Sequence, residues 1–285
     1  MDGPNILVRS LSAVKEIGNK GYSGQYHSRS DRHSKAVCWA ILFDLLNESS
    51  LLRQHAEAGK VVCGVNHEMS DYKAQRKKNL DLVIATPGTP DPDSKRQKHS
   101  FKQLVEWFGI SLTAEEIMRL HALPDIPGGP VGSVLLALEA KACMTAHLKA
   151  LPRLYDELNS SQLTIHGSDD RAIAAGLAMV NISDSFISSD KNPLGLCTHE
   201  PILTYHRQPK DAERTVNKLR ELPRRTRPGE EGFDALGIIL VSCVNDGSPV
   251  TLVTQDPAPN TNDDYHYDQM VRRVGSLYDH RFQGL

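Results

Sequence analysis

Glu139 and Lys141 stand two residues apart in the segment LALEAKA, whose run is apolar until it reaches them. If that run is extended, their side chains leave the same face with Cα atoms about 6.5–7 Å apart, and both can address one substrate. Asp81 sits near the start of a second apolar segment, in KKNLDLVIA. An antiparallel pairing of the two segments brings its carboxylate beside Glu139. Two carboxylates about 4 Å apart repel by roughly 4 kcal/mol at an effective dielectric of 20, so a divalent cation is their natural third member. The expected ion is Mg²⁺, with Mn²⁺ as a substitute. Such an ion polarises a phosphodiester and lowers the pKa of a bound water, while Lys141 orients that water or offsets charge on the phosphate.

Positioning these groups requires a sheet. KAVCWAILFDLLNESSLLRQHAEAG, after Ser34, has helical spacing and stops before Gly59, which predicts one long core helix. VVCGVNH (61–67) and LDLVIA (80–85) read as strands separated by the polar stretch EMSDYKAQRKKN. TPGTPDPDSKRQKHS (86–100) reads as a loop. Next come two helical pieces, the second opened by Thr113 with Glu116 three residues on, a capping-box spacing. SVLLALEAKA (133–142) is the expected central strand. After it, CMTAHLKALPRLYDELNSS reads as a helix despite Pro152, and AIAAGLAMVNIS as a buried strand. Beyond residue 190 follow a basic amphipathic helix, the strand DALGIILVSCV, its hairpin partner PVTLVT and a closing helix. The fold class is therefore α/β, divided into an arm over 1–33, a core over 34–190 with an insertion over 86–132, and a C-terminal extension or small lobe over 191–285.

At Asp81, Glu139 and Lys141 the chain resembles the PD-(D/E)XK (restriction-endonuclease-like) nuclease superfamily. There a metal-binding acid precedes an acid-x-lysine pair on the next strand of an αβββαβ core with a mixed central sheet. The resemblance covers roughly residues 34–185. Asn79 and Leu80 precede Asp81, with no proline where the family name puts one, and the insertion separates the two motif strands. Glu139-Ala-Lys141 is the sole E-x-K. The rival triplets Asp71-Tyr-Lys73 and Asp93-Ser-Lys95 lie in polar, loop-like sequence. The resemblance implies an enzyme that hydrolyses DNA phosphodiesters, of the type II restriction or phage-defence kind, acting as a homodimer on double-stranded DNA. Asp81, Glu139 and the backbone carbonyl of Ala140 would hold the metal, with Glu48 of the first core helix as an additional ligand.

Lys73, Arg76, Lys77 and Lys78 before Asp81, and Lys95, Arg96 and Lys98 after its strand, form a candidate phosphate-tracking rim. Solvated charge explains them equally well, as it does Arg220, Arg224, Arg225 and Arg227. His67 and His147 lack a zinc spacing and read as structural. The insertion helices, with Trp107 between them, fit a lid or packing role better than a groove reader. A formal net charge of −2 excludes a chain that coats nucleic acid everywhere, so any phosphate-binding surface is local. Five scattered cysteines suit reduced thiols. No apolar run is long enough for a membrane span and none resembles a signal peptide, so a cytoplasmic protein is expected. No phosphate-cradling glycine loop or nucleophile elbow is present. The competing function is a non-catalytic nucleic-acid-binding or assembly protein on the same fold.

Overall fold

A helix that is apolar all round must be covered on every side, and the helix that opens the predicted core is of that kind: every residue from Ser34 to Leu46 is buried. The computed structural model describes residues 1–18, 21–72, 74–90 and 98–285. In chain order its elements are α1 (Gly3–Ser12), β1 (Lys15–Ile17), β2 (Tyr22–Gly24), α2 (Arg32–Glu48), α3 (Ser50–Glu57), β3 (Val62–Asp71), β4 (Arg76–Pro87), α4 (Leu104–Phe108), α5 (Ala114–Ala122), β5 (Val131–Cys143), α6 (His147–Ser168), β6 (Ile173–Asn181), β7 (Ser185–Ile187), β8 (Leu203–Tyr205), α7 (Lys210–Arg220), β9 (Ala235–Ser242), β10 (Thr251–Val253) and α8 (Tyr267–Arg281). The architecture is mixed α/β.

A six-stranded sheet of order β10-β9-β6-β5-β4-β3 divides the core. β3, β4 and β5 form an antiparallel meander. β6 lies parallel to β5 and β9 parallel to β6, with β10 closing the edge antiparallel. One face packs on α1, α2 and α8, through residues such as Leu82, Leu138, Trp39 and Met270. The other packs on α6 and α7, through Val83, Ala137, Leu158 and Val216. β6, buried along its whole length, reads as a continuous apolar run because helices cover both sides.

The expected long helix is two. Ser49 is extended at φ −89°, ψ 113°, and its hydroxyl accepts the Leu52 N–H at 3.0 Å, ending α2 and capping α3. The polar stretch after His67 is not a connection between short strands. It extends β3 and β4 into a ribbon paired as far as Asp71↔Arg76. Helix α1 is no free arm, since Ile6 and Leu7 are fully buried in the α2 layer. The insertion is also anchored: Phe101 is fully buried and stacks on Trp39 at 5.0 Å, and its carbonyl accepts the Trp39 indole N–H at 2.8 Å. Thr113 and Glu116 form the expected capping box. Residues beyond 190 complete the central sheet through β9 and β10. Among the described residues, no helix is long and apolar enough to cross a membrane.

Candidate metal and phosphate site between two parting strands

The β4–β5 ladder ends with the pairs Val83↔Ala137 and Leu82↔Leu138. One step further the register sets Asp81 across from Glu139, and here the ladder stops. The Asp81 carboxylate takes the place of a backbone acceptor: its Oδ2 accepts the Ala140 N–H at 3.0 Å. The N–H and C=O of one strand residue leave toward the same neighbour, so the Ala140 carbonyl faces the same gap. Asp81 is thus brought against the Glu139–Ala140 backbone.

The other oxygen of Asp81 is held from α2. Ser34 Oγ donates to Oδ1 at 2.9 Å, and Lys35 Nζ lies 2.9 Å from that atom. Lys35 is itself almost fully enclosed; it also donates to the Asp81 carbonyl at 3.3 Å and to Asn66 Oδ1. Burial pushes the Asp81 carboxyl up, but the Lys35 ammonium, the Ala140 N–H and the Lys141 charge outweigh it, and the group lies below the usual carboxylate value.

Glu139 has the opposite character. It is 2 % exposed, and burial followed by the Asp81 charge raises its carboxyl above the ordinary value despite Lys141. Lys141 Nζ lies 2.9 Å from Oε1, while Oε2 is buried without a hydrogen-bond partner among the described residues. Lys141 also approaches Glu157 of α6 at 3.8 Å. Burial pulls the lysine down, but Glu139, Asp81 and Glu157 outweigh it and hold it above its ordinary value. It is a fixed cation. A buried, unsatisfied carboxylate oxygen is costly. Asp81, held from α2, lies near enough for its charge to raise the Glu139 carboxyl, which sits with Lys141 on the α6 side; with the Ala140 carbonyl the two acids offer all-oxygen donors, the kind a hard divalent ion retaining several waters takes.

Glu48 does not join the site. It lies at the far end of α2 from Lys35, about 20 Å away by helix rise, with its side chain against Gly275 of α8. The sequence reading placed it on the correct helix but at the wrong end. Among the described residues no group of three or more His, Cys, Asp or Glu side chains is placed to hold a metal, so a metal here would have to draw on the two acids with backbone and water.

The expected basic rim is uneven. Arg76 is exposed, Lys77 pairs with Glu68 at 3.0 Å on the ribbon surface, and Lys98 is exposed at the start of the insertion. Lys78 turns inward instead and donates to the Glu157 carbonyl. Burial and the Lys141 charge lower its pKa even though Glu139 opposes them. Lys73, Lys95 and Arg96 lie outside the described residues. The second arginine cluster is paired with acids: Arg225 is fully buried against Asp234 at 3.0 Å, and Arg220, Arg224 and the exposed Arg227 pair with Asp263, Asp264 and Glu230. His147 is buried, with Nε2 2.7 Å from the Asn181 carbonyl.

Sequence reasoning missed the α2 contribution, Ser34 and Lys35, and with it His33. That ring lies against Tyr26, with centroids 5.1 Å apart, and is pushed down to about 4 by burial, which with the Lys141 and Lys35 charges outweighs Asp81. It is neutral at pH 7. The available signal was a lysine at the head of a helix with no other solvated face. Compared with family models, curated proteins and solved structures, the chain finds no match.

Proposed function

We propose that this chain is a Mg²⁺-dependent DNA endonuclease of the PD-(D/E)XK kind, a restriction or phage-defence enzyme. One observation carries the reading: Asp81 caps the Ala140 N–H where β4 and β5 part, beside a buried Glu139 whose Oε2 has no protein partner. The element order supports it, because α2, β3, β4, β5, α6 and β6 give helix, antiparallel meander, crossover helix and parallel strand.

Asp81, Glu139 and the Ala140 carbonyl would hold the ion, which when bound lowers the pKa of a water and polarises the scissile phosphodiester. The chain's own groups do the rest. Ser34 and Lys35 fix the rotamer of Asp81 from below. Lys141, held protonated by its acidic neighbours, hydrogen-bonds the attacking water or the phosphate oxygen and offsets the charge that develops as the P–O bond breaks. Cutting both strands of a duplex calls for two such sites, so a homodimer belongs to the proposal.

The test uses plasmid and phage DNA with purified protein in Mg²⁺, Mn²⁺ or EDTA. Cutting is expected with either metal and none in EDTA. Lys141→Ala should lose about a thousandfold in rate, the several kcal/mol expected of a group that stabilises only the transition state. Glu48→Ala should cut as the parent does, because its side chain lies at the other end of α2. Metal-independent cutting, or full activity in Lys141→Ala, rejects the site. Salt-sensitive DNA binding without turnover, indifferent to Glu139→Gln, selects the non-catalytic binding protein instead.

A further inference from the structure

Between the outer edge of β3 and the insertion lies a cleft of about 610 Å³ lined by Val65, Asn66, His67, Lys98, His99 and Trp107. Its size falls within the range of small-molecule sites, roughly 300–1,000 Å³. We infer that it seats one unstacked nucleobase of the substrate strand, with the base ring on Trp107 and the base edge on the backbone of β3. The inference rests on the nucleic-acid reading above and names the form of substrate that the site takes.

Four observations meet here. Trp107 is 62 % exposed, yet its ring is already stacked on His99 with centroids 4.2 Å apart, so a flat surface is set in place before any ligand arrives. Base–aromatic stacking of this kind accepts every base. The strand edge supplies the second element. Cys63 donates its N–H to Pro127 at 2.9 Å and accepts from Gly129 at 3.3 Å on the outer side of β3. Two residues on, Val65 presents its N–H and C=O along the same edge, where the cleft opens. A base edge carries both donors and acceptors that match such a pair.

The third observation concerns the wall. A Cβ on Gly128 would stand 2.3 Å from the His99 carbonyl oxygen, and one on Gly129 would stand 2.9 Å from Val62, so only glycine lets this segment lie close enough to leave the cleft beside it. Fourth, Asn66 joins the cleft to the proposed phosphate site. It adopts φ +50°, and its Oδ1 accepts from Lys35 Nζ, the amine paired with Asp81. Two side chains, Asn66 and Lys35, therefore connect a base in the cleft to Asp81, with Lys98 exposed at the mouth for a flanking phosphate. Bringing a base out of a duplex costs a few kcal/mol, so strands with an unpaired base are favoured.

Tryptophan fluorescence in EDTA tests this without cleavage. Of the two tryptophans Trp39 is fully buried, so quenching by a ligand reports Trp107. The probes are a short single-stranded oligonucleotide of mixed sequence, the same length carrying abasic sites, and a fully paired duplex. Saturable quenching is expected with the first, about tenfold weaker binding of the abasic strand at equal charge, and weaker binding of the duplex. With a dye-labelled strand and anisotropy as the readout, Trp107→Ala should lose about tenfold in affinity and Trp107→Phe much less, the size of one base–aromatic stack. Equal binding of the abasic strand, or unchanged affinity in Trp107→Ala, overturns the inference. Cleavage assayed separately in Mg²⁺ keeps the two readings apart. Cutting without base-dependent quenching removes the cleft and leaves the nuclease; base-dependent quenching without cutting does the reverse.

Discussion

Replacing Glu139 with glutamine should abolish cleavage and, in the same protein, raise the melting temperature. The first effect follows from the proposed role: it takes away a carboxylate that would hold the metal, at a cost of about a thousandfold or more in rate. The second follows from burial. The parent buries a carboxyl that is 2 % exposed, with one oxygen unpartnered, and ionising it there in EDTA at alkaline pH is costly. The raised pKa states that burial and the Asp81 charge outweigh the Lys141 ion pair. For a group raised in the folded state, its favourable contribution is complete below the unfolded value of about 4.3 and is lost as pH rises through the folded value. The cost is therefore greatest at alkaline pH. Glutamine removes it while keeping the shape, which should stabilise the fold by about 1–2 kcal/mol, or roughly 2–6 °C for a chain of this size. Near pH 4, where the parent's Glu139 is protonated, the two proteins should melt together. Adding Mg²⁺ at pH 8 should raise the melting temperature of the parent and leave that of Glu139→Gln unmoved. Calorimetry across pH with and without metal checks all three; a variant that melts below the parent at pH 8 would mean that the Lys141 pair dominates and that Glu139 is a structural acid.

Much of this site was legible in the residues. An apolar run that turns charged at its end, LALEAKA, has to be a buried strand delivering two polar groups to one place, and Asp81 beside LVIA has to meet it if the strands pair. The central strand, the crossover helix and the buried parallel strands followed from apolar runs and their lengths. The ribbon did not, because its outer face is solvated: Glu68, Lys77 and Arg76 are exposed and leave no alternation to read. The helix break at Ser49 was hidden because Ser49 and Ser50 sit inside an unbroken 3.6-residue apolar pattern, and only the cap geometry ends α2. Glu48 illustrates the limit of placing a residue by element alone. A helix of 17 residues has two ends about 25 Å apart, and the sequence does not say which end meets the sheet gap. Lys35, about three and a half turns earlier, is at the end that meets Asp81.

Lys35→Met should be the most destabilising single change at the site, and the double variant with Asp81→Asn should recover much of that loss. Lys35 and Asp81 are both buried and 2.9 Å apart, and the same amine also reaches the Asp81 carbonyl and Asn66. Removing one partner of a buried pair leaves the other charge uncompensated, at a cost of about 3–5 kcal/mol, whereas replacing both costs far less. Melting in EDTA should fall by roughly 10 °C for the single variant. The pH dependence has a fixed sign. Asp81 lies below its ordinary value when folded, so its stabilising contribution is present above the unfolded value of about 3.9 and fades as pH falls through the folded one. The gap between parent and Lys35→Met is therefore widest at neutral pH and narrows in acid. Cleavage should stay lost in the double variant although its stability returns, because asparagine offers the metal no charge. A Lys35→Met protein as stable as the parent at pH 7 would mean that the Ala140 N–H and Ser34 hold Asp81 unaided, and that the α2 lysine belongs to the Asn66 wall rather than to the metal site.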